Sequence, residues 1–121
     1  MDVITIAMRM ENYMDYLDEI GESLPKLSTE KALESGEYDK EIALTIIRLK
    51  NGVELELDGQ KIKNPIGSIT EKLAKGICWQ KKIKMETAEA SYKIALLNDI
   101  RQQSLLNACQ SINRHLKDSP R

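Results

Sequence analysis

The stretch that decides the fold runs from Ser68 to Leu116 and reads SITEKLAKGICWQKKIKMETAEASYKIALLNDIRQQSLLNACQSINRHL. It contains no proline and a single glycine, Gly76. As one unbroken helix it would be about 70 Å long, at about 1.5 Å per residue. Its first residues, Ser68-Ile69-Thr70-Glu71, match a capping box, in which the serine and glutamate side chains bond each other's free amides. The sequence therefore predicts a long C-terminal helix over residues 68–116.

Apolar residues recur along this stretch at steps of three and four, which is typical of a helix face that packs on another helix. Polar residues interrupt the pattern between Asn98 and Ser104. We interpret the helix as packing on its own domain at one end and on sister subunits at the other. The residues expected to make the oligomer contacts are Tyr92, Leu96, Ile100, Leu105, Cys109, Ile112 and Leu116. The alternative is a bend near Asn98 that folds the chain back into a monomeric bundle.

The N-terminal part, residues 1–51, also has helical periodicity. One stripe carries Val3, Ile6, Met10, Tyr13, Leu17, Ile20 and Leu24. Pro25 is expected to end this first helix, because the residue before a proline is pushed towards extended conformations. A second helix is expected to begin at Ser28 or Thr29, weaken near Gly36 and continue to Leu49. Asn51-Gly52 then predicts its end, since both residues tolerate the left-handed conformation.

A short β-hairpin is predicted over residues 53–63. Residues 53–57 alternate apolar and acidic side chains, and Asp58-Gly59 is a dipeptide typical of two-residue hairpin turns. At 121 residues the chain has the length of one domain. The expected architecture is thus a single, mainly α domain with acidic N-terminal helices, a hairpin and a long basic C-terminal helix.

Charge is distributed unevenly along the chain. The net charge is −1, yet residues 1–47 carry −7 and residues 48–121 carry +6. Such an asymmetry suggests a polyanionic partner or complementary contacts between subunits.

Near the N-terminus an acid, Asp2, stands where a secretion signal needs a base, and no uncharged apolar run approaches about 20 residues. The expected location is the cytoplasm, without membrane contact.

The densest positive segment combines lysines with the only tryptophan. Lys72, Lys75, Trp79 and Lys82 follow each other at steps of three and four, which places them on one helix face. Lysines contact phosphates as point charges, and an indole stacks on an unpaired base, so this pattern favours single-stranded nucleic acid. The predicted binding residues are Lys61, Lys63, Lys72, Lys75, Trp79, Lys81, Lys82 and Lys84. The alternative is a solvated lysine face and a tryptophan that covers a core edge.

No pattern in the sequence indicates a reaction or a cofactor. Asp58-Gly59-Gln60-Lys61 lacks the glycine spacing and the ending of a P-loop. His115 is the only histidine, and Cys78 and Cys109 form no metal-ligand pair, so no zinc site is expected. The two cysteines, about 46 Å apart in one helix, are expected to be packing residues and not a disulfide. We therefore expect a protein that is not an enzyme.

Residues 88–97, AEASYKIALL, and 101–111, RQQSLLNACQS, resemble small helical proteins encoded beside recombinases in bacteriophage genomes. The likeness is to recombination mediators that load a strand-exchange protein on single-stranded DNA. It implies a ring-like oligomer in a host cytoplasm that binds single strands through basic helices and contacts a recombinase. The basic motifs of the best-known mediators have no match here, and the acidic first helix differs from their N-terminal parts.

The leading hypothesis is an oligomeric accessory protein that binds single-stranded nucleic acid in phage recombination or replication. A rival of another class is a protein-binding inhibitor or adaptor, such as an anti-defence protein whose acidic half imitates a phosphate backbone and blocks a host nuclease complex. A third possibility is a purely structural coiled-coil subunit.

Overall fold

The computed structural model describes residues 2–118 as three helices and one two-stranded sheet. In chain order these are α1 (Val3–Lys50), β1 (Leu55–Leu57), β2 (Gln60–Ile62), α2 (Gly67–Ile77) and α3 (Trp79–Asp118). The prediction of a mainly α protein with a small hairpin and a long C-terminal helix is confirmed. Within residues 2–118 no helix is both long enough and apolar enough to cross a membrane.

Helix α1 is one helix of 48 residues, so the predicted end at Pro25 and the weak point at Gly36 are wrong. A proline inside a helix costs about 3 kcal/mol, because it removes one backbone hydrogen bond and crowds the preceding turn. The covered stripe nevertheless continues past it through Ile20, Leu24 and Leu27. Packing of that stripe outweighs the local preference. The predicted end at Asn51-Gly52 is confirmed: Gly52 has φ +78°, and the Val53 amide donates to the Arg48 carbonyl at 3.0 Å.

The hairpin is confirmed. Leu55 pairs with Ile62 and Leu57 with Gln60 in an antiparallel register. Asp58 and Gly59 both have positive φ, 50° and 79°, as a type I′ turn requires. The hairpin packs on α2, where a methyl group added to Gly76 would lie only 3.2 Å from a methyl carbon of Leu57. Gly76 thus allows the strand to approach the helix.

The start of α2 differs from the predicted capping box. The helix begins at Gly67, one residue before Ser68, and its N-cap residue is Ile66, without a side-chain cap. Ser68 therefore lies inside the first turn. The Thr70 hydroxyl donates to the Ile66 carbonyl at 3.2 Å, and Glu71 forms an ion pair with Lys75 at 3.4 Å.

The long C-terminal helix is interrupted at Cys78 and continues through Asn98 without a break. Cys78 has φ −89° and ψ 20°, outside ideal helical geometry. It is buried, and its sulfur lies 3.4 Å from the Thr45 hydroxyl of α1. A tertiary contact, invisible in the local sequence pattern, coincides with this irregularity.

The described residues divide into two compact units. One contains residues 29–90, and its buried residues include Tyr38, Thr45, Leu49, Ala74, Cys78 and Ala88. The other contains residues 2–28 and 91–118, where the start of α1 packs on the end of α3, with Ile6, Ile20 and Cys109 buried. Both cysteines are free thiols.

Candidate nucleic-acid interface

The candidate site lies on α2 and the first turns of α3, within the unit of residues 29–90. One side of these helices is covered, and its residues recur at helical spacing: Thr70, Ala74, Cys78, Lys81, Met85 and Ala88 are buried or half-buried. The opposite side is exposed. It carries Lys72, Lys75, Trp79, Lys82 and Ile83, which we call the basic–aromatic face.

Trp79 is exposed to 52%. Successive residues of a helix are rotated by about 100°, so Lys75 and Lys82 lie within about 60° of the indole around the axis. Although regular helical geometry is interrupted at Cys78, helical i to i−4 hydrogen bonds are kept on both sides of it. The Cys78 amide donates to the Ala74 carbonyl at 3.0 Å, and the Lys82 amide donates to the Cys78 carbonyl at 3.2 Å. The structure thus brings together the four residues that the spacing placed on one face.

Two of these lysines form an ion pair with a carboxylate on the same helix. Lys75 pairs with Glu71 at 3.4 Å and Lys82 with Glu86 at 3.9 Å, both one helical turn apart. All four side chains are more than half exposed, and exposed ion pairs of this kind contribute only about 0.3–0.5 kcal/mol. Lys72 has no ion pair within residues 2–118. A phosphate can therefore replace the carboxylates at little cost.

Lys81 and Lys84 lie away from the basic–aromatic face. Each is rotated from Trp79 by about 140° or more around the axis. Lys81 is on the covered side, where it lies 3.9 Å from Glu37 of α1. Glu37 also accepts a hydrogen bond from Lys40 at 3.1 Å. The hydrogen bond and charge of Lys40, together with the charge of Lys81, hold the pKa of Glu37 below its ordinary value.

The hairpin lysines stand beside acidic residues. Lys61 lies within β2 and Lys63 directly follows its end. Both are exposed, and they alternate with half-buried Ile62, which points to the other side of the strand. Lys61 faces Glu56 across the strand pair and lies 3.9 Å from Glu54. Lys61 thus lies beside two carboxylates in a weak, exposed ion pair, whereas Lys63 has no ion pair within residues 2–118.

Ile83 was not among the predicted binding residues. It is 52% exposed and follows Trp79 by one helical turn on the same face. It adds apolar area beside the indole. Ile83 could have been identified from the sequence, because it falls outside the stripe of residues that the helix covers.

The predicted oligomerisation residues separate into two groups. Cys109 is buried, and Tyr92 and Leu105 are half-buried within the unit of residues 2–28 and 91–118. The other four, Leu96, Ile100, Ile112 and Leu116, are exposed. The single chain therefore covers three of the seven residues within their own unit and leaves four exposed. Their role in an oligomer stays a prediction.

Within residues 2–118 no three histidine, cysteine, aspartate or glutamate residues are placed so that they could hold a metal ion together. A search among known proteins finds no matching family model, and no significant match among curated proteins or solved structures.

Proposed function

We propose that the chain is a non-enzymatic accessory protein that binds single-stranded nucleic acid on the basic–aromatic face. The observation that carries the proposal is the half-exposed Trp79 between Lys75 and Lys82 on one side of the α2–α3 segment. An indole exposed to water is unfavourable, and its stacking on an unpaired base stabilises a complex by about 1–3 kcal/mol. The neighbouring ammonium groups supply contacts to the adjoining phosphates.

The face suits single strands better than a duplex. In a duplex the π-faces of the bases are stacked within the helix, so an indole projecting from a convex helix surface can reach them only where bases are unpaired. The face carries no arginine, asparagine or glutamine, whose planar side chains read base edges with two hydrogen bonds. We therefore expect binding without strong sequence preference. A role in phage recombination or replication remains the pathway suggested by the resemblance.

The test uses the fluorescence of Trp79, which reports on the face directly because it is the only tryptophan. Titration of the full chain with oligothymidine should quench the emission, and the affinity should fall with salt. Removing one lysine that binds a phosphate should reduce the slope of log K against log salt by about 0.7. Lys75→Gln and Lys82→Gln should each lower the affinity and this slope.

The matched control is Lys84→Gln, which removes the same charge from α3, the helix of Lys82, but on a different side. It should leave both affinity and slope nearly unchanged. Trp79→Ala, measured by anisotropy of a labelled oligothymidine, should weaken binding about tenfold or more. Absence of quenching in the unmodified chain, or an equal loss in all three glutamine variants, would falsify the proposal.

The rival hypothesis of a protein-binding inhibitor remains a prediction. Capture from a nuclease-treated bacterial lysate separates the two, since a protein partner survives that treatment and a nucleic-acid bridge does not.

A further inference from the structure

In the unit of residues 2–28 and 91–118, helix α3 exposes several bulky aliphatic side chains and half-buries some polar ones. Ile94, Leu97 and Ile100 are 59%, 56% and 58% exposed. Asp99 and Gln102, in contrast, are half-buried. In a helical bundle the apolar side chains of a helix are normally covered and the polar ones are exposed. We call the exposed residues Ile94, Leu96, Leu97 and Ile100 the outer face of α3.

The exposed aliphatic side chains of the outer face lie close together. Four of them fall within two turns of α3. Contiguous apolar patches of this kind mark surfaces that another molecule covers.

The same unit carries a complementary surface on α1. Ala7, Met14 and Gly21 are exposed and spaced by seven residues, and each directly follows a covered residue of the α1 stripe. No atom lies within 4 Å of the position that a methyl group on Gly21 would occupy. With exposed Val3, these residues form an apolar strip of small and flexible side chains, which we call the α1 edge. A helix that is apolar on this second edge is suited to pack on two neighbours.

The charges beside the two surfaces are opposite. Lys93 and Arg101 stand one turn before and after Leu97 on α3, and Glu11 and Asp18 follow Ala7 and Met14 by one turn on α1. All four are exposed, and none has an ion pair within residues 2–118. The chain thus presents an apolar face with basic flanks and an apolar edge with acidic flanks.

We propose that a second copy of this chain covers the outer face of α3 with its α1 edge, and receives the same contact in return. The proposed arrangement is the closed two-fold one, in which each copy supplies both halves. It contains four helices, and every α3 segment lies between two α1 segments. An open groove of about 280 Å³ between Tyr16, Ile20 and Leu27 of α1 and Ser91, Ile94 and Ala95 of α3 borders this face and can receive side chains of the partner. This assembly is independent of nucleic-acid binding.

Light scattering on the full chain at about 50 µM tests the proposal, a concentration at which a dimer with a nanomolar to micromolar Kd is formed. The expected mass is twice 13.8 kDa. Leu97→Glu should give the monomer mass with unchanged helical circular dichroism. Ile83→Glu, an equally exposed aliphatic of α3 outside this unit, should remain dimeric. A monomeric unmodified chain, any mass other than two chains, or a dimeric Leu97→Glu variant overturns the proposal.

Cross-linking tests the orientation. A tagged Met14→Cys copy and an untagged Leu97→Cys copy, mixed and oxidised, should form the mixed disulfide in excess of either homodimer, because Met14 of one copy meets the outer face of the other. The native thiols are buried. Predominance of the Leu97→Cys homodimer would show α3 packed on α3 and overturn the assignment of the α1 edge.

Discussion

Adjacent residues can differ entirely in role when a helix separates them by a third of a turn. Lys81 and Lys82 are neighbours in sequence, and both were predicted to bind nucleic acid. Lys82 lies on the basic–aromatic face, whereas Lys81 lies on the covered side and contacts Glu37. The seven lysines between Lys61 and Lys84 can be grouped into several helical stripes. Their spacing therefore identifies the exposed face only after the covered side of the helix is known.

The contact of Lys81 has a measurable consequence at Glu37. The hydrogen bond from Lys40 is the largest cause of the lowered pKa of Glu37, followed by the charges of Lys40 and Lys81. In a titration followed by NMR, Glu37 should titrate below its ordinary pKa of 4.5. Lys40→Gln should raise that pKa more than Lys81→Gln does.

The sign for stability follows from linkage. Glu37 binds a proton more weakly in the folded chain, so its contribution to stability is present above the ordinary pKa of 4.5 and is lost as the pH falls through the lower folded value. Glu37→Gln should remove this part of the acid dependence. A pKa of Glu37 that is unaffected by Lys40→Gln would contradict the assigned cause.

At the scale of elements, helices are ended by tertiary context as much as by local residues. The turn at Asp58-Gly59 and the end at Asn51-Gly52 formed as predicted, because positive φ is a local requirement that few residues meet. Pro25 did not end α1, because the covered stripe on both sides of it continues. Cys78 interrupts the C-terminal helix where no breaking residue stands.

Replacement of Pro25 measures the cost of keeping it inside a helix. Pro25→Ala should raise the free energy of unfolding by about 1–3 kcal/mol, because alanine restores the amide donor and removes the ring. Urea denaturation monitored by circular dichroism gives this value. The control is Lys26→Ala, an exposed neighbour in the same helix, for which a change within about 0.5 kcal/mol is expected. A destabilised Pro25→Ala chain would mean that the native packing requires the proline.

At the scale of the whole molecule, stability should depend on concentration if two copies complete each other. Since dimer formation stabilises only the folded state, about a hundredfold dilution should lower the Tm of the unmodified chain by a few degrees. Leu97→Glu should have a lower Tm that does not change with dilution. A Tm of the unmodified chain that is equally constant would argue against the assembly.

The sequence by itself determined the helical class, the hairpin with its turn residues, the end of α1 and the helical spacing of Lys72, Lys75, Trp79 and Lys82. These features depend on interactions between residues close in the chain, which periodicity and turn chemistry report. Only the tertiary structure decided that α1 passes through Pro25, that the C-terminal helix is interrupted at Cys78, and that α3 covers Asp99 while it exposes Leu97. Each of these depends on which side of a helix packs against another helix. The local sequence does not reveal that side, because one helix can carry several apolar stripes with the same spacing of three and four residues.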